Sequence, residues 1–306
     1  KDDRIRVHRN DKFVGVIDNH NIAFGLISPA AEYCKVVSAD DFIFPECLER
    51  MVELAEAHPS VGIVGSYQLS GSVIRWQGFQ YPKVVWGGRE MCRQVFLGGD
   101  PTFGFGSPTS ILYRAALVRA KNGFYPNQSA EADTSACFKS LRSWEFGFVH
   151  QVLSYERTHP DTQSTASAQL NRYAASYLND LIEYGPWYLE RAELERRLRE
   201  HLDDYHRFLA VSAITFKGKA FWDYHRRRLE ELGHPLRRSH LIRALIRTGV
   251  REAANPEQAI KKCWRRVRPR RAAQEGARIG KPANHPGGTA TGVAASASPR
   301  RGTQGR

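Results

Sequence analysis

The sequence predicts an α/β protein, with a mainly parallel sheet flanked by helices over residues 1–165, a helical subdomain over 166–260 and a basic, disordered tail over 261–306. Three observations lead there. Up to about residue 165 short apolar runs alternate with helical patterns, the texture of βα units. From Gln169 to about Arg247 long helical patterns take over. Beyond Ala272 the large apolar residues are Ile279 and Val293 amid Gly, Ala, Ser, Pro and Arg, too few to offset the entropy lost on ordering.

Taken in order, Gly15 marks a turn, and a helix is expected over roughly Asn21 to Ile27. Cys34 to Val37 reads as a strand and Ser38-Ala39-Asp40-Asp41 as its exit loop. Pro45 to His58 follows as a helix, with Pro near its first turn and Leu48, Met51, Val52 and Ala55 along one face. Pro59 stops it, and Val61 to Tyr67 forms the next strand. In the second region breaks fall at Gly185-Pro186 and Gly233-His234-Pro235, and Leu194, Leu198, Leu202, Tyr205 and Leu209 recur at helical spacing as a buried stripe.

Charge is unevenly spread. The 306 residues carry a net +13, but residues 261–306 hold twelve Lys/Arg against Glu275 alone, so the remaining 260 residues carry +2. The run from Lys261 to Arg271, with Trp264 inside it, suits nonspecific phosphate contacts rather than base reading. An anionic membrane surface is therefore the better partner for the tail, nucleic acid is disfavoured, and a merely solubilising tail is the plain alternative. Five scattered cysteines without a CxxC pair argue against a disulfide framework or zinc knuckle and for a reducing, cytoplasmic setting. No apolar run approaches the roughly 18 residues of a membrane span. The chain starts without Met and runs at once into the strand-like Ile5-Arg6-Val7, so residue 1 is expected to lie inside a domain.

Two sets of acidic residues stand where chemistry is expected. Asp40 and Asp41 follow a strand, and in open α/β sheets ligands gather at strand carboxyl ends. Hard carboxylate oxygens there suit Mg²⁺ or Mn²⁺, although Asp41 would serve equally as a helix cap. Asp133 opens an apolar-periodic segment (Ala136, Cys137, Leu141), placing it at a helix N-terminus, again with capping as the structural alternative.

These residues also carry a resemblance. Gly15, Asn21, Glu32-Tyr33, Asp40-Asp41, His58-Pro59 and Val61-Gly62 occur in the order found in the middle of a family 2 glycosyltransferase of the GT-A type. Gly106 to Arg114, Asn122 to Pro126 and Glu131-Ala132-Asp133 resemble its acceptor-side half, and Leu153 to His159 resembles the segment closing the transferase domain. The likeness spans about Asp3 to Ser164. Ser38 departs from the longer Asp-x-Asp-Asp motif, leaving Asp40 and Asp41 for the metal.

The resemblance implies a GT-A-like fold, incomplete at its N-terminus, that transfers a sugar with inversion from a nucleotide-sugar donor to a hydroxyl acceptor, a glycan or lipid-linked molecule, in surface glycan synthesis. It implies donor binding by Asn21, Asp40 and Asp41, a Mg²⁺ or Mn²⁺ ion on Asp40, Asp41 and His159, and Asp133 as general base with Glu131 as runner-up. A lone His at a domain end is also commonly an ordinary turn residue. Because the family's nucleobase-reading strand–helix–strand would lie upstream of Lys1, the competing expectation is a catalytically incomplete remnant or a non-catalytic binding protein.

Overall fold

The computed structural model describes residues 2–98, 104–119, 123–157, 170–215 and 217–253. His159 and the basic segment 261–306 lie outside the described residues. The chain divides into units Lys1–Thr248 and Gly249–Arg306; of the latter only the end of one helix is described.

The protein is mixed α/β, with one sheet flanked by helices. Helix α1 (Val16–Gly25) starts five residues before the expected position, directly after Gly15. It buries Phe24 against Phe124 and Tyr125, with ring centroids 5.1 and 5.2 Å apart. Strand β1 (Tyr33–Lys35) is shorter than expected because its partner ladder ends with Lys35 opposite Leu112, just past the turn at Pro108–Ser110. After β2 (Phe42–Ile43) comes α2 (Cys47–Ala57), which buries Cys47, Met51 and Ala55 at spacing four. Leu48, expected on the buried face, is instead 48% exposed, one step around the helix from that stripe. The long β3 (Val61–Ser70) turns at Gly71 into β4 (Val73–Arg75), and β5 (Val85–Trp86) leads into α3 (Gly88–Leu97). Then follow β6 (Ile111–Arg114), α4 (Ala115–Val118), α5 (Ala132–Ser140) and β7 (Glu145–Glu156).

The sheet order is β1-β6-β3-β7-β2, with β4 beside β3 and β5 beside β7. The expectation of a mainly parallel sheet is corrected: β3 and β7 pair in parallel, whereas the other five pairings are antiparallel. The β1–α2–β3 crossover does leave β1 and β3 pointing the same way, but β6 inserts antiparallel between them. The β3–β4 turn and the short β1–β2 loop are too brief for parallel crossovers, which need about a dozen residues or more.

Successive residues of β6 feed opposite faces: Ile111 and Tyr113 join the larger core beneath α1, α3 and α5, and Leu112 joins the smaller one beneath α2. Beyond residue 170 come α6 (Tyr173–Glu183), α7 (Gly185–Tyr188), α8 (Arg191–Ile214), α9 (Lys219–Glu231) and α10 (Arg238–Ala253). The leucine stripe of α8 serves two cores. Leu194 and Leu198 pack with the sheet's larger core, while Leu202, Tyr205 and Leu209 build a third with Leu178 and Phe221. Arg93 of α3 forks onto Glu193 of α8 at 2.5 and 2.6 Å, fixing the long helix beside the sheet.

Candidate functional site

Strand directions bring one set of expected residues to a common edge. Because β1, β3 and β7 run the same way, their carboxyl ends lie together, joined by the turn entering β6 and the start of β2. Asp40 and Asp41 sit there, both half-buried, in the loop between β1 and β2. Asp41 Oδ2 accepts a 2.6 Å hydrogen bond from Thr109 Oγ1, and Oδ1 accepts one of 3.1 Å from the Arg157 backbone N–H at the exit of β7. Asp41 does not cap α2: β2 intervenes, and the helix begins after Glu46.

Thr109 is the hub of this edge. Its hydroxyl accepts from the Ser38 N–H at 3.3 Å, and its carbonyl accepts from Lys35 Nζ at 2.8 Å. Lys35 Nζ also donates to Ile111 O at 3.2 Å, and burial pulls its pKa down to about 8. Nearby, Gln68 Oε1 accepts from Ser107 Oγ at 3.0 Å and from Trp76 Nε1 at 3.4 Å. Gln68 Nε2 and Ser154 Oγ are buried without a hydrogen-bond partner among the described residues, and the two residues face each other in the β3–β7 register. Orphaned buried donors are costly and mark a place where a polar ligand or water is wanted.

A second set gathers around α1 and the start of α5. Asn21 of α1 clamps the Tyr125 backbone, its Nδ2 donating to Tyr125 O at 3.1 Å and its Oδ1 accepting from Tyr125 N at 2.9 Å. Gly123, at φ +91°, passes so close that a Cβ there would lie 2.9 Å from Asn21 Nδ2. Asn21 therefore stands with Asp133 rather than with Asp40 and Asp41, and its amide is committed to the main chain.

Asp133 is the second residue of α5, following Glu131 at the N-cap, whose side chain makes no capping bond. Burial raises the Asp133 carboxyl pKa, while the N–H groups of Asp133 and Thr134 and the nearby His20 pull it back. Burial also lifts Glu131 to about 8, helped by the charges of Asp133 and Asp180, and Asp180 to about 7. Burial, with the nearby charge of Asp133, pushes up the pKa of the Tyr113 and Tyr125 hydroxyls, which border this cluster. Raised carboxyl pKa values of this kind recur at proton-transfer sites and in buried structural clusters alike.

Sequence reasoning missed Thr109, Gln68, Ser154, Lys35 and Asp180 as members of these clusters. Asp180 carried a readable signal, since it falls among Tyr177, Leu178 and Leu181 on the buried side of a helix. Gln68 and Ser154 gave none, because only strand register brings them together. His159 lies outside the described residues, although the strand leading toward it is fixed to Asp41 through Arg157.

Comparison with models of known protein families gives no match, and neither does comparison with curated proteins. No helix among the described residues is long and apolar enough to cross a membrane. The described cysteines Cys34, Cys47, Cys92 and Cys137 are free thiols.

Proposed function

We propose that the protein is a glycosyltransferase of the GT-A type that moves a sugar, with inversion, from a nucleoside-diphosphate donor to a hydroxyl acceptor. The observation carrying this reading is the convergence of strand carboxyl ends on Asp40 and Asp41, where open α/β sheets bind ligands. Surface glycan or glycolipid synthesis is the setting the resemblance favours.

Asp40 and Asp41 fit a Mg²⁺ or Mn²⁺ ion of the type held by one or two carboxylates with the rest of its shell from phosphates and water. Among the described residues no three His, Cys, Asp or Glu side chains group into a protein cage, so donor oxygens would complete the shell. Such an ion supplies charge neutralisation for a departing diphosphate. Thr109 and the Arg157 N–H orient the Asp41 carboxylate that would hold it. In the transfer the bond between the sugar carbon and the diphosphate oxygen breaks, its electron pair leaving with the diphosphate. The acceptor oxygen bonds to the opposite face of that carbon and gives its proton to Asp133, whose raised pKa suits it as base.

Calorimetric titration with UDP and dTDP in the presence of Mn²⁺ tests the reading. Micromolar binding that disappears in Asp41→Asn is expected. If neither nucleotide binds at millimolar concentration, the chain is a non-catalytic remnant or binding protein and the transferase reading fails.

A further inference from the structure

A cavity of about 710 Å³ opens beside the Asp133 helix, between α1, the loop before α5, α6 and α9. Its charge is one-sided. Arg172, Arg227 and Arg228 line it against a single carboxylate, Glu231. Glu231 is already engaged, accepting from Arg228 Nη1 at 2.5 Å and lying 3.8 Å from Arg227 Nε. Arg172 has no such partner: its Nε is buried and without a hydrogen bond among the described residues, while its guanidinium sits 5.6 Å from the centroid of the Tyr224 ring. This cation–π contact helps hold the guanidinium at the cavity wall, and its donor fork suits a planar or tetrahedral anion.

The backbone adds to this charge. Gly15 and Val16, the N-cap and first residue of α1, line the cavity, as do Arg172 and Tyr173 in the same positions of α6. Both helices run ten residues or more and border one space with their first residues, where a positive dipole end favours an anion. Ser129 and Ala130, which approach the N-terminus of α5, form a further wall. Asp18, in the first turn of α1, accepts a 2.7 Å hydrogen bond from Gln128 Nε2.

We infer that this cavity binds a phosphate-class anion, and, resting on the transferase reading, that this anion is a group of the acceptor. Its position supports the second half. Asn127 at the cavity wall donates to Ser135 Oγ at 3.3 Å, and Ser135 belongs to the same helix as Asp133. An acceptor anchored by its phosphate in this cavity would have its hydroxyl end free to reach the helix that carries Asp133. Three arginines and two helix ends around one cavity are more than a solvated surface needs, and an unpaired buried guanidinium N–H has a cost that an anion removes.

The test is titration with inorganic pyrophosphate in EDTA, so that metal-dependent binding at Asp40 and Asp41 is silent. Saturable binding is expected, weakened about tenfold or more in Arg172→Gln. Glu231→Gln is expected to shift affinity the other way, tightening it about threefold or more by releasing Arg227 and Arg228. A merely damaged fold would not tighten binding, so the pair of variants separates a site from a structural arginine. Glucose 1-phosphate against vesicles containing phosphatidic acid then distinguishes a soluble from a lipid-borne phosphate, whichever binds in an Arg172-dependent way being the source. Absence of pyrophosphate binding, or binding indifferent to both variants, overturns the inference. Because no donor or metal enters this experiment, it can fail while UDP still binds at Asp41, and the reverse.

Discussion

Ser135 Oγ donates a 2.6 Å hydrogen bond to Asp180 Oδ1, both groups fully buried, and so ties the helix that bears Asp133 to α6. The bond works against the burial that raises the Asp180 pKa. A second tie runs alongside, Tyr188 OH donating to the Phe138 carbonyl of the same helix. The helices after residue 170 thus set the position of the candidate base, and their role extends beyond covering the sheet.

Thr109→Val tests whether that threonine serves the ligand or only the turn. The substitution keeps the buried volume but removes the hydroxyl that orients Asp41. Loss of an orienting partner is expected to weaken Mn²⁺-dependent UDP binding about 10-fold or more. Calorimetry reads this directly, and an unchanged affinity would confine Thr109 to holding the loop.

The contribution of Glu131 to stability should fall as pH rises from about 5 to 8, against the opposite slope from His206, whose pKa burial lowers to about 4. Glu131 has an ordinary pKa of 4.5 but about 8 when folded, so over that interval the native protein keeps a proton that the unfolded chain has released. The contribution is fully present below 4.5 and gone above 8, on the order of a few kcal/mol in total. Urea denaturation at stepped pH should show this decline as a difference between the wild type and Glu131→Gln. A slope identical in the variant would place Glu131 in solvent.

The third core contains a buried pair whose direction is fixed. Tyr205 OH lies 2.6 Å from His225 Nδ1, and His225 Nε2 lies 2.8 Å from Leu170 O, so the ring donates through Nε2 and accepts from the tyrosine through Nδ1. Tyr205→Phe leaves that nitrogen buried and unpaired, and should cost about 1–3 kcal/mol in urea denaturation. Burial lowers the His225 pKa, while its hydrogen bond to the Leu170 carbonyl works the other way.

What the sequence made legible follows from where its periodicity is strong. Helix α2 and the stripe of α8 could be read because single helices bury residues at regular spacing, though α8 divides its stripe between two cores. Sheet order could not be read, since the insertion of β6 between β1 and β3 depends on contacts some eighty residues apart. The same limit applies to the site. Asp40 and Asp41 stood out by position after a strand, whereas Thr109 became visible only when antiparallel pairing laid the β6 entry turn against their loop.

Asp133, the second residue of α5 rather than its N-cap, acts either as a base or as a helix-terminal carboxylate, and substitution separates the two. Its carboxylate receives the N–H groups of Asp133 and Thr134, a role that Asn fills nearly as well through its side-chain oxygen. Asp133→Asn should therefore leave the urea midpoint unchanged or raise it slightly, since a neutral amide relieves the burial that lifts the carboxyl pKa. Asn cannot take a proton, so release of nucleoside diphosphate in a transfer assay should fall by roughly 10²-fold or more. Binding of UDP with Mn²⁺ should persist, because Asp41 is held on a different loop by Thr109 and Arg157. Glu131→Gln supplies the contrast. Glu131, protonated at neutral pH, is poorly suited to act as base, and its replacement should change turnover far less. Wild-type turnover in Asp133→Asn together with a collapse in Glu131→Gln would transfer the role to Glu131 and reduce Asp133 to a helix-terminal carboxylate.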